Sequence, residues 1–292
     1  MSGAKVGVIG GSGFYRMEGL EDAEELHIDT PFGPAGAPIV IGTLEGERVA
    51  FVTRHGEGHR ILPSEVPYRA NIWALKSVGV ERCFALSAVG SLREEIAPLD
   101  LVVPGQLIDR TNGRASTFFG RGLVAHIGFD RPFCPQLSEL VLRAGSALRA
   151  TVHRGGSYVA VEGPAFSTIA ESQIYRSWGA SVIGMTGIPE AKLAREAEIC
   201  YAMLAMVTDY DVWHEDHAPV YGEMVIENLL RSFQLTQSVV AEAVRTLPPT
   251  RDCSCGDALS KALITSAELV PDEVKRDLAP IIGRYMPVEA RI

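Results

Sequence analysis

Short apolar runs of strand length alternate along the chain with longer stretches of helical periodicity, and no other feature of the sequence constrains the fold as much. The runs cover 5–9, 49–53, 83–87, 101–103, 158–161, 182–185 and 202–207, and the helical stretches cover 66–77, 135–148, 169–178 and 189–198. Such alternation predicts an α/β fold with a largely buried central sheet. Pro189 and Glu190 suit the opening turn of a helix, where a missing N–H costs nothing and negative charge is favoured. From about 221 to 247, Val225, Leu229, Phe233, Val240, Val244 and Leu247 form one apolar stripe, which predicts a long amphipathic helix whose task is packing. Pro248 and Pro249 end it, and the tail reads as loop with one or two short helices. With no repeat, low-complexity tract or linker, residues 1–292 are expected to form a single domain.

A formal net charge of −9 excludes general attraction to nucleic acid or an anionic membrane, since both require a positive surface field. An anion must therefore be held by a local pocket. The glycine-broken N-terminus is unlike a signal peptide, and no apolar run reaches membrane-spanning length. The five cysteines are odd in number and suit a reducing compartment, with the cytoplasm as the expected location.

Four segments carry residues of chemical interest. Gly10-Gly11-Ser12-Gly13 follows a buried run, where glycines let backbone N–H groups turn toward an anion and Ser12 adds a hydroxyl. It matches neither the dinucleotide fingerprint nor the phosphate loop of nucleotide hydrolases, and a ligand-free strand-exit turn fits it equally. Arg54-His55-Gly56 ends another run, and its guanidinium fork matches phosphate oxygens as well as it matches a solvated strand end. Ser87-Ala88-Val89-Gly90 and Thr186 close further runs with small or hydroxyl-bearing residues, at strand ends where ligands of open α/β sheets collect. Thr208-Asp209-Tyr210-Asp211 follows the run 202–207. On an extended chain Asp209 and Asp211 face one site, and of two buried neighbouring carboxylates one should keep its proton near neutrality. A divalent-metal site or a solvated turn are the competing readings.

His214, Glu215, Asp216 and His217 lack a metal-ligand spacing and read as a charged loop. Cys253-Ser254-Cys255 supplies two thiols, which do not complete a zinc site, and a disulfide across one residue is strained. No metal is expected.

In order along the chain, Val8 to Gly13, Asp29 to Gly33, Arg54 to Gly56, Ala70 to Lys76, Gly90 to Glu95, Asp109 to Thr111, Glu162 to Pro164, Gly184 to Thr186, Pro189 to Ala191 and Thr208 to Asp211 resemble the trimeric purine nucleoside phosphorylases, within them the methylthioadenosine phosphorylases. The resemblance implies a central mixed β-sheet flanked by helices, and phosphate as nucleophile and co-substrate against a purine nucleoside with a thio-substituted ribose, with no organic cofactor. It implies that Ser12, Arg54, His55, Ser87, the Ala88 backbone and Thr186 bind phosphate. Met185 would lie against the ribose, Phe166 and Ser167 beside the base, and Thr208 at the nucleoside. Asp209 would protonate purine N7, and Asp211 would accept from the 6-amino group. His126 resembles a position that a neighbouring subunit lends to the 5'-thio pocket, which implies a homotrimer, paired or not into a hexamer.

Three positions depart from the family pattern: Ala165 for arginine, Gly187 for threonine or serine, and Ser87 for threonine. The first two are expected near the base, where they would retune the pocket. The rival readings are a phosphorylase of 6-oxopurine nucleosides, a non-catalytic nucleoside-binding protein and a hydrolase.

Overall fold

The computed structural model describes residues 3–12, 14, 16–214 and 221–288. In chain order the elements are β1 (Val6–Gly10), β2 (Glu21–Leu26), β3 (Ile39–Leu44), β4 (Glu47–Thr53), α1 (Tyr68–Ser77), β5 (Arg82–Ser91), β6 (Leu101–Val103), β7 (Gln106–Arg110), α2 (Pro135–Ala147), β8 (Val152–Arg154), β9 (Ser157–Val161), α3 (Ile169–Ser177), β10 (Val182–Gly184), α4 (Gly187–Glu196), β11 (Cys200–Asp209), α5 (Gly222–Arg245), α6 (Asp272–Asp277) and α7 (Ala279–Ile282). All the strands join one mixed sheet, in the order β2-β3-β4-β1-β5-β10-β9-β7, with β11, β6 and β8 branching from β5. The fold is α/β with a central mixed sheet.

The fork at β5 follows from its length. On one side its first half pairs in parallel with β1 and its last two residues, Gly90 and Ser91, pair antiparallel with β10, while on the other side β11 pairs in parallel with it from Arg82 to Gly90. Burial on both sheet faces explains why β1, β5 and β11 read as unbroken apolar runs rather than as alternating ones. One core layer is completed by residues of α1, α4, α6 and α7, and the layer on the opposite side by residues of α2 and α5.

Three strands gave no apolar run, and a fourth, the apolar β3, lies outside the predicted runs. Edge strand β2 is acidic and exposed along its length, and pairs antiparallel with β3. Charge on an edge discourages pairing with another chain, and it also erases the sequence signal of a strand. β7 and β8 are short, lie partly in solvent, and exist through parallel pairing with β9 and β6 respectively.

The long helix α5 begins at Gly222, after Tyr221, and ends at Arg245. Of the expected stripe, Leu229, Val240 and Val244 are buried as anticipated. Packing is only part of its task, because its N-terminal half borders the cleft described next.

Candidate active site

Parallel pairing of β1 with β4 and β5, and of β5 with β11, brings four strand C-termini to one edge of the sheet. There they open a cleft of about 580 Å³, within the range that holds a small organic ligand. Gly11 and Ser12 leave β1, Arg54 and His55 leave β4, and Ser87, Ala88, Val89 and Gly90 belong to the end of β5. Met185 and Thr186 follow β10, Thr208 and Asp209 end β11, and Asp211 follows it. Phe166 and Ser167 complete the rim ahead of α3, and Phe166 is 44% exposed. His126 does not line its own chain's cleft and is exposed. Gly13, Glu215, Asp216 and His217 lie outside the described residues. His214 pairs with Glu94 Oε1 at 3.0 Å.

At the end of the cleft formed by β1 and β4, the backbone of Gly11 passes so close to β5 that an added Cβ would lie 2.6 Å from the Leu86 carbonyl and 3.2 Å from Arg54 Nη1. Ser87, expected to close a strand, lies inside β5, which runs on to Ser91, and its hydroxyl approaches that of Thr186 to 3.3 Å, so β5 and the turn after β10, far apart in sequence, supply adjacent donors. Arg54 is fully buried. Its Nε and Nη2 each donate to one oxygen of Glu190 at 2.7 Å, and its Nη1 donates to the Leu86 carbonyl at 2.9 Å. Burial disfavours the Arg54 charge, but the paired Glu190 carboxylate more than offsets this and raises its pKa. The sequence reading offered the whole guanidinium fork to an anion; in the structure the fork engages Glu190, and one N–H on each terminal nitrogen remains. Glu190, placed by sequence at a helix start, does lie in the first turn of α4, but its carboxylate is aimed at Arg54 and also accepts from the Tyr201 hydroxyl at 2.7 Å.

His55 Nδ1 lies 2.8 Å from the Ile61 carbonyl. A carbonyl only accepts, so this nitrogen carries the proton, and Nε2 of the neutral ring is an acceptor. Burial first, then the Arg54 charge, pushes the ring pKa down to about 3, so it is neutral at physiological pH. The sequence resemblance placed His55 at phosphate; in this neutral tautomer its free nitrogen accepts, as from the O–H of a hydrogen phosphate.

At the acid end, the pairing of β11 with β5 slips between Val207 and Asp209, so that Asp209 faces Gly90. This bulge re-aims the last residues of an otherwise regular strand. It is pinned by Asn228 of α5, whose Nδ2 donates to the Thr208 carbonyl at 2.7 Å. Thr208 Oγ1 lies 2.7 Å from Asp209 Oδ2, and Asp209 Oδ1 accepts from the Asp211 N–H at 2.8 Å. Asp211 has a φ of 51°, so the two aspartates share the cleft through a left-handed turn and not through the extended alternation anticipated from sequence. Burial pushes Asp209 up to about 6 against the opposing hydrogen bonds from the Thr208 hydroxyl and the Asp211 N–H, with the Asp211 charge a smaller raising influence; burial also raises Asp211. Asp211 Oδ2 is buried with no hydrogen bond of good geometry among the described residues, and although the Ser172 hydroxyl lies close enough to oppose the rise in its pKa, the oxygen is left as an acceptor for a ligand.

Gly90 makes this approach possible. A Cβ there would lie 2.8 Å from Asp209 Oδ1 and 3.4 Å from Asp211 Cβ. Gly90→Ala is expected to push the carboxyl aside and, where the cleft turns over its ligand, to lower that turnover roughly 10–100-fold. Steady-state kinetics check it, and an unchanged kcat would contradict the packing argument.

Sequence reasoning missed the opposite wall, formed by His59, Leu62 and Pro63 and by Val225, Ile226, Leu229 and Leu230 of α5. The signal was present in Ile226 and Leu230, apolar residues off the buried stripe that remain 57% and 61% exposed. Gly187 and Ala165, expected near the base, do not line the cleft. Gly187 sits behind it, where a Cβ would lie 3.0 Å from the Tyr158 ring and 3.1 Å from Met203, so a larger residue would not fit this packing.

Thiols form a separate cluster. Sequence offered only the Cys253 and Cys255 pair as a ligand set, but the fold brings Cys134 and Cys200 to it, with the four thiols within 4.8 Å of one another.

Residues 5–245 match the phosphorylase superfamily. The chain is 54% identical over 290 residues to the S-methyl-5'-thioadenosine phosphorylase of Gloeobacter violaceus, covering 97% of this chain and 96% of that one. Among solved structures it is similar to a methylthioadenosine phosphorylase from an antarctic soil metagenomic library, with a TM-score of 0.90 and 46% identity over 96% of this chain and 99% of that one. A methylthioadenosine phosphorylase from Schistosoma mansoni in complex with adenine gives a TM-score of 0.83 and 32% identity, covering 96% and 98% of the two chains.

Proposed function

The chain belongs to the phosphorylase superfamily, and we propose from this that it cleaves S-methyl-5'-thioadenosine with inorganic phosphate, releasing adenine and S-methyl-5-thioribose 1-phosphate for purine and methionine salvage. The observation that carries the reading is the single cleft bordered by an anion cradle at one end and a buried carboxyl of raised pKa at the other.

Because Glu190 balances the Arg54 charge, phosphate is held mainly by dipoles: the residual Arg54 N–H groups, the hydroxyls of Ser12, Ser87 and Thr186, and the Ala88 N–H. His55 Nε2 takes the O–H of hydrogen phosphate. Met185 lies against the ribose and Phe166 and Ser167 border the base. Asp209, its carboxyl oriented by Thr208, delivers its proton to purine N7 as the glycosidic bond breaks, so that the leaving base is neutral. Positive charge developing on the ribose is met by the phosphate held beneath it. The roles are filled by side chains and by phosphate as co-substrate, without an organic cofactor.

The active unit is a homotrimer in which His126 of one chain reaches the 5'-thio pocket of the next. Its exposure and its absence from its own cleft support this reading, as do the uncovered Ile226 and Leu230 beside the cleft. The unpaired cysteines support a reducing, cytoplasmic setting. Among the described residues no helix is long and apolar enough to cross a membrane.

The deciding experiment mixes the purified chain with methylthioadenosine, with and without phosphate, and identifies the sugar product. Adenine release without phosphate would make it a hydrolase, and none under either condition a binding protein. The unpartnered Asp211 Oδ2 favours a 6-amino base, because a carboxylate attracts an amino group and repels a carbonyl oxygen. Asn tolerates the left-handed backbone at this position. Asp211→Asn is therefore expected to fold, and to lower the ratio of kcat/KM for methylthioadenosine over methylthioinosine at least roughly tenfold, about 1.4 kcal/mol. An unchanged ratio would remove Asp211 from base selection.

A further inference from the structure

We propose that Cys134, Cys200, Cys253 and Cys255 form a closed tetrathiolate site for one zinc ion, remote from the catalytic cleft. Their sulfur atoms all lie within 4.8 Å of one another, and Cys200 and Cys253 approach to 3.3 Å. Sulfurs bound tetrahedrally to zinc at about 2.3 Å are separated by roughly 3.8 Å, so small adjustments suffice to seat the ion. Four soft thiolates with no oxygen ligand select zinc over magnesium, calcium or manganese.

The surroundings suit a bound dianion. Arg82, the register partner of Cys200 on β5, lines the same small cavity as Cys134 and Cys200. It is only 5% exposed, and its Nη2 has no hydrogen-bond partner among the described residues. Zinc entering as a dication displaces one proton from each thiol and leaves a complex of charge two minus, which the Arg82 guanidinium would partly balance.

The ligands come from the residue preceding α2, the first residue of β11 and the turn around Ser254–Asp257. That turn is already held near β11: Arg251 Nη1 donates to the Glu198 carbonyl at 3.1 Å, and Arg284 Nη2 to that of Gly256 at 2.8 Å. Zinc would close this attachment and fasten the segment after α5 to the central sheet. Cys200 and Asp209 stand at opposite ends of a ten-residue strand, roughly 30 Å apart at strand rise, so the role is structural.

The test purifies the full chain reduced and without chelators, exposes it to Zn(II), removes excess by gel filtration and measures metal by mass spectrometry. About one zinc per chain is expected, released in step with thiol modification by an organomercurial. Co(II) in place of zinc should give the intense visible absorption of tetrahedral thiolate coordination. The double variant C253S/C255S should lose at least tenfold in bound metal, while C83A keeps its full complement. The proposal is overturned by reduced wild-type protein that retains no zinc, by cobalt without the tetrahedral spectrum, or by peptide mapping that finds Cys200 and Cys253 joined as a disulfide in freshly purified protein. Metal content and cobalt spectra of the wild type decide the matter even if the double variant does not fold, and neither depends on the nucleoside being turned over.

Discussion

Asp209→Asn is expected to lower kcat for methylthioadenosine by about 10²–10⁴-fold, with KM changed only a few-fold. The amide can still accept from the Asp211 N–H and present an N–H toward the base, so binding geometry survives. What it lacks is a transferable proton. In the wild-type protein burial raises this carboxyl from 3.8 to about 6, so the proton-bearing form of the free protein declines as pH rises through about 6, and kcat/KM for the nucleoside should decline with it. The same shift fixes the sign of a stability effect. The folded state holds this proton more tightly than the unfolded chain, so the stability it contributes is complete below pH 3.8 and is lost as pH rises through about 6. Asparagine escapes that loss. The variant should therefore melt higher than wild type near pH ~8, with the difference closing near pH ~4, even though it is almost inactive. Measured kcat and melting curves across pH check both halves; a variant that keeps wild-type turnover would remove Asp209 from proton delivery.

Glu190→Gln is expected to destabilise the chain by about 3–5 kcal/mol, lowering Tm on the order of 10 °C. Arg54 and Glu190 are 0% and 1% exposed, and the carboxylate accepts two guanidinium bonds and the Tyr201 hydroxyl. Neutralising it leaves a buried positive charge without its partner, and that penalty exceeds the loss of the contact itself. The double variant R54M/E190L separates stability from function. With both charges replaced by apolar side chains of similar size, Tm should return toward wild type, while KM for phosphate rises by at least roughly tenfold because the cradle has lost its arginine donors. Thermal melts and phosphate titrations of the single and double variants check this. Recovery of phosphate affinity with the double variant would show that Arg54 only supports the fold.

The strands that position the site were readable because they are buried on both faces and leave unbroken apolar runs, as 202–207 does within β11. The edge strand β2 was not, because its exposed acidic side chains reflect solvent and its backbone pairing alone makes it a strand. Arg54 and Asp209, at strand ends, announced polar chemistry where an apolar run stops, as did Ser87, although β5 continues past it to Ser91. The partners those residues take could not be read from local sequence: Glu190 lies 136 residues from Arg54, and the bulge that turns Asp209 against Gly90 is a register shift between two strands more than a hundred residues apart.

By itself the sequence determined the α/β class, the buried strands, the long helix and the residue types available for phosphate and proton transfer, since local patterns of burial and polarity encode all of these. Only the tertiary structure decided that the Arg54 fork is turned to Glu190, that His55 offers a lone pair, that α5 walls the cleft, and that Cys134 and Cys200 join the Cys253 and Cys255 pair. Each of these is a meeting of side chains remote in sequence, and a meeting of that kind exists only once the chain has folded.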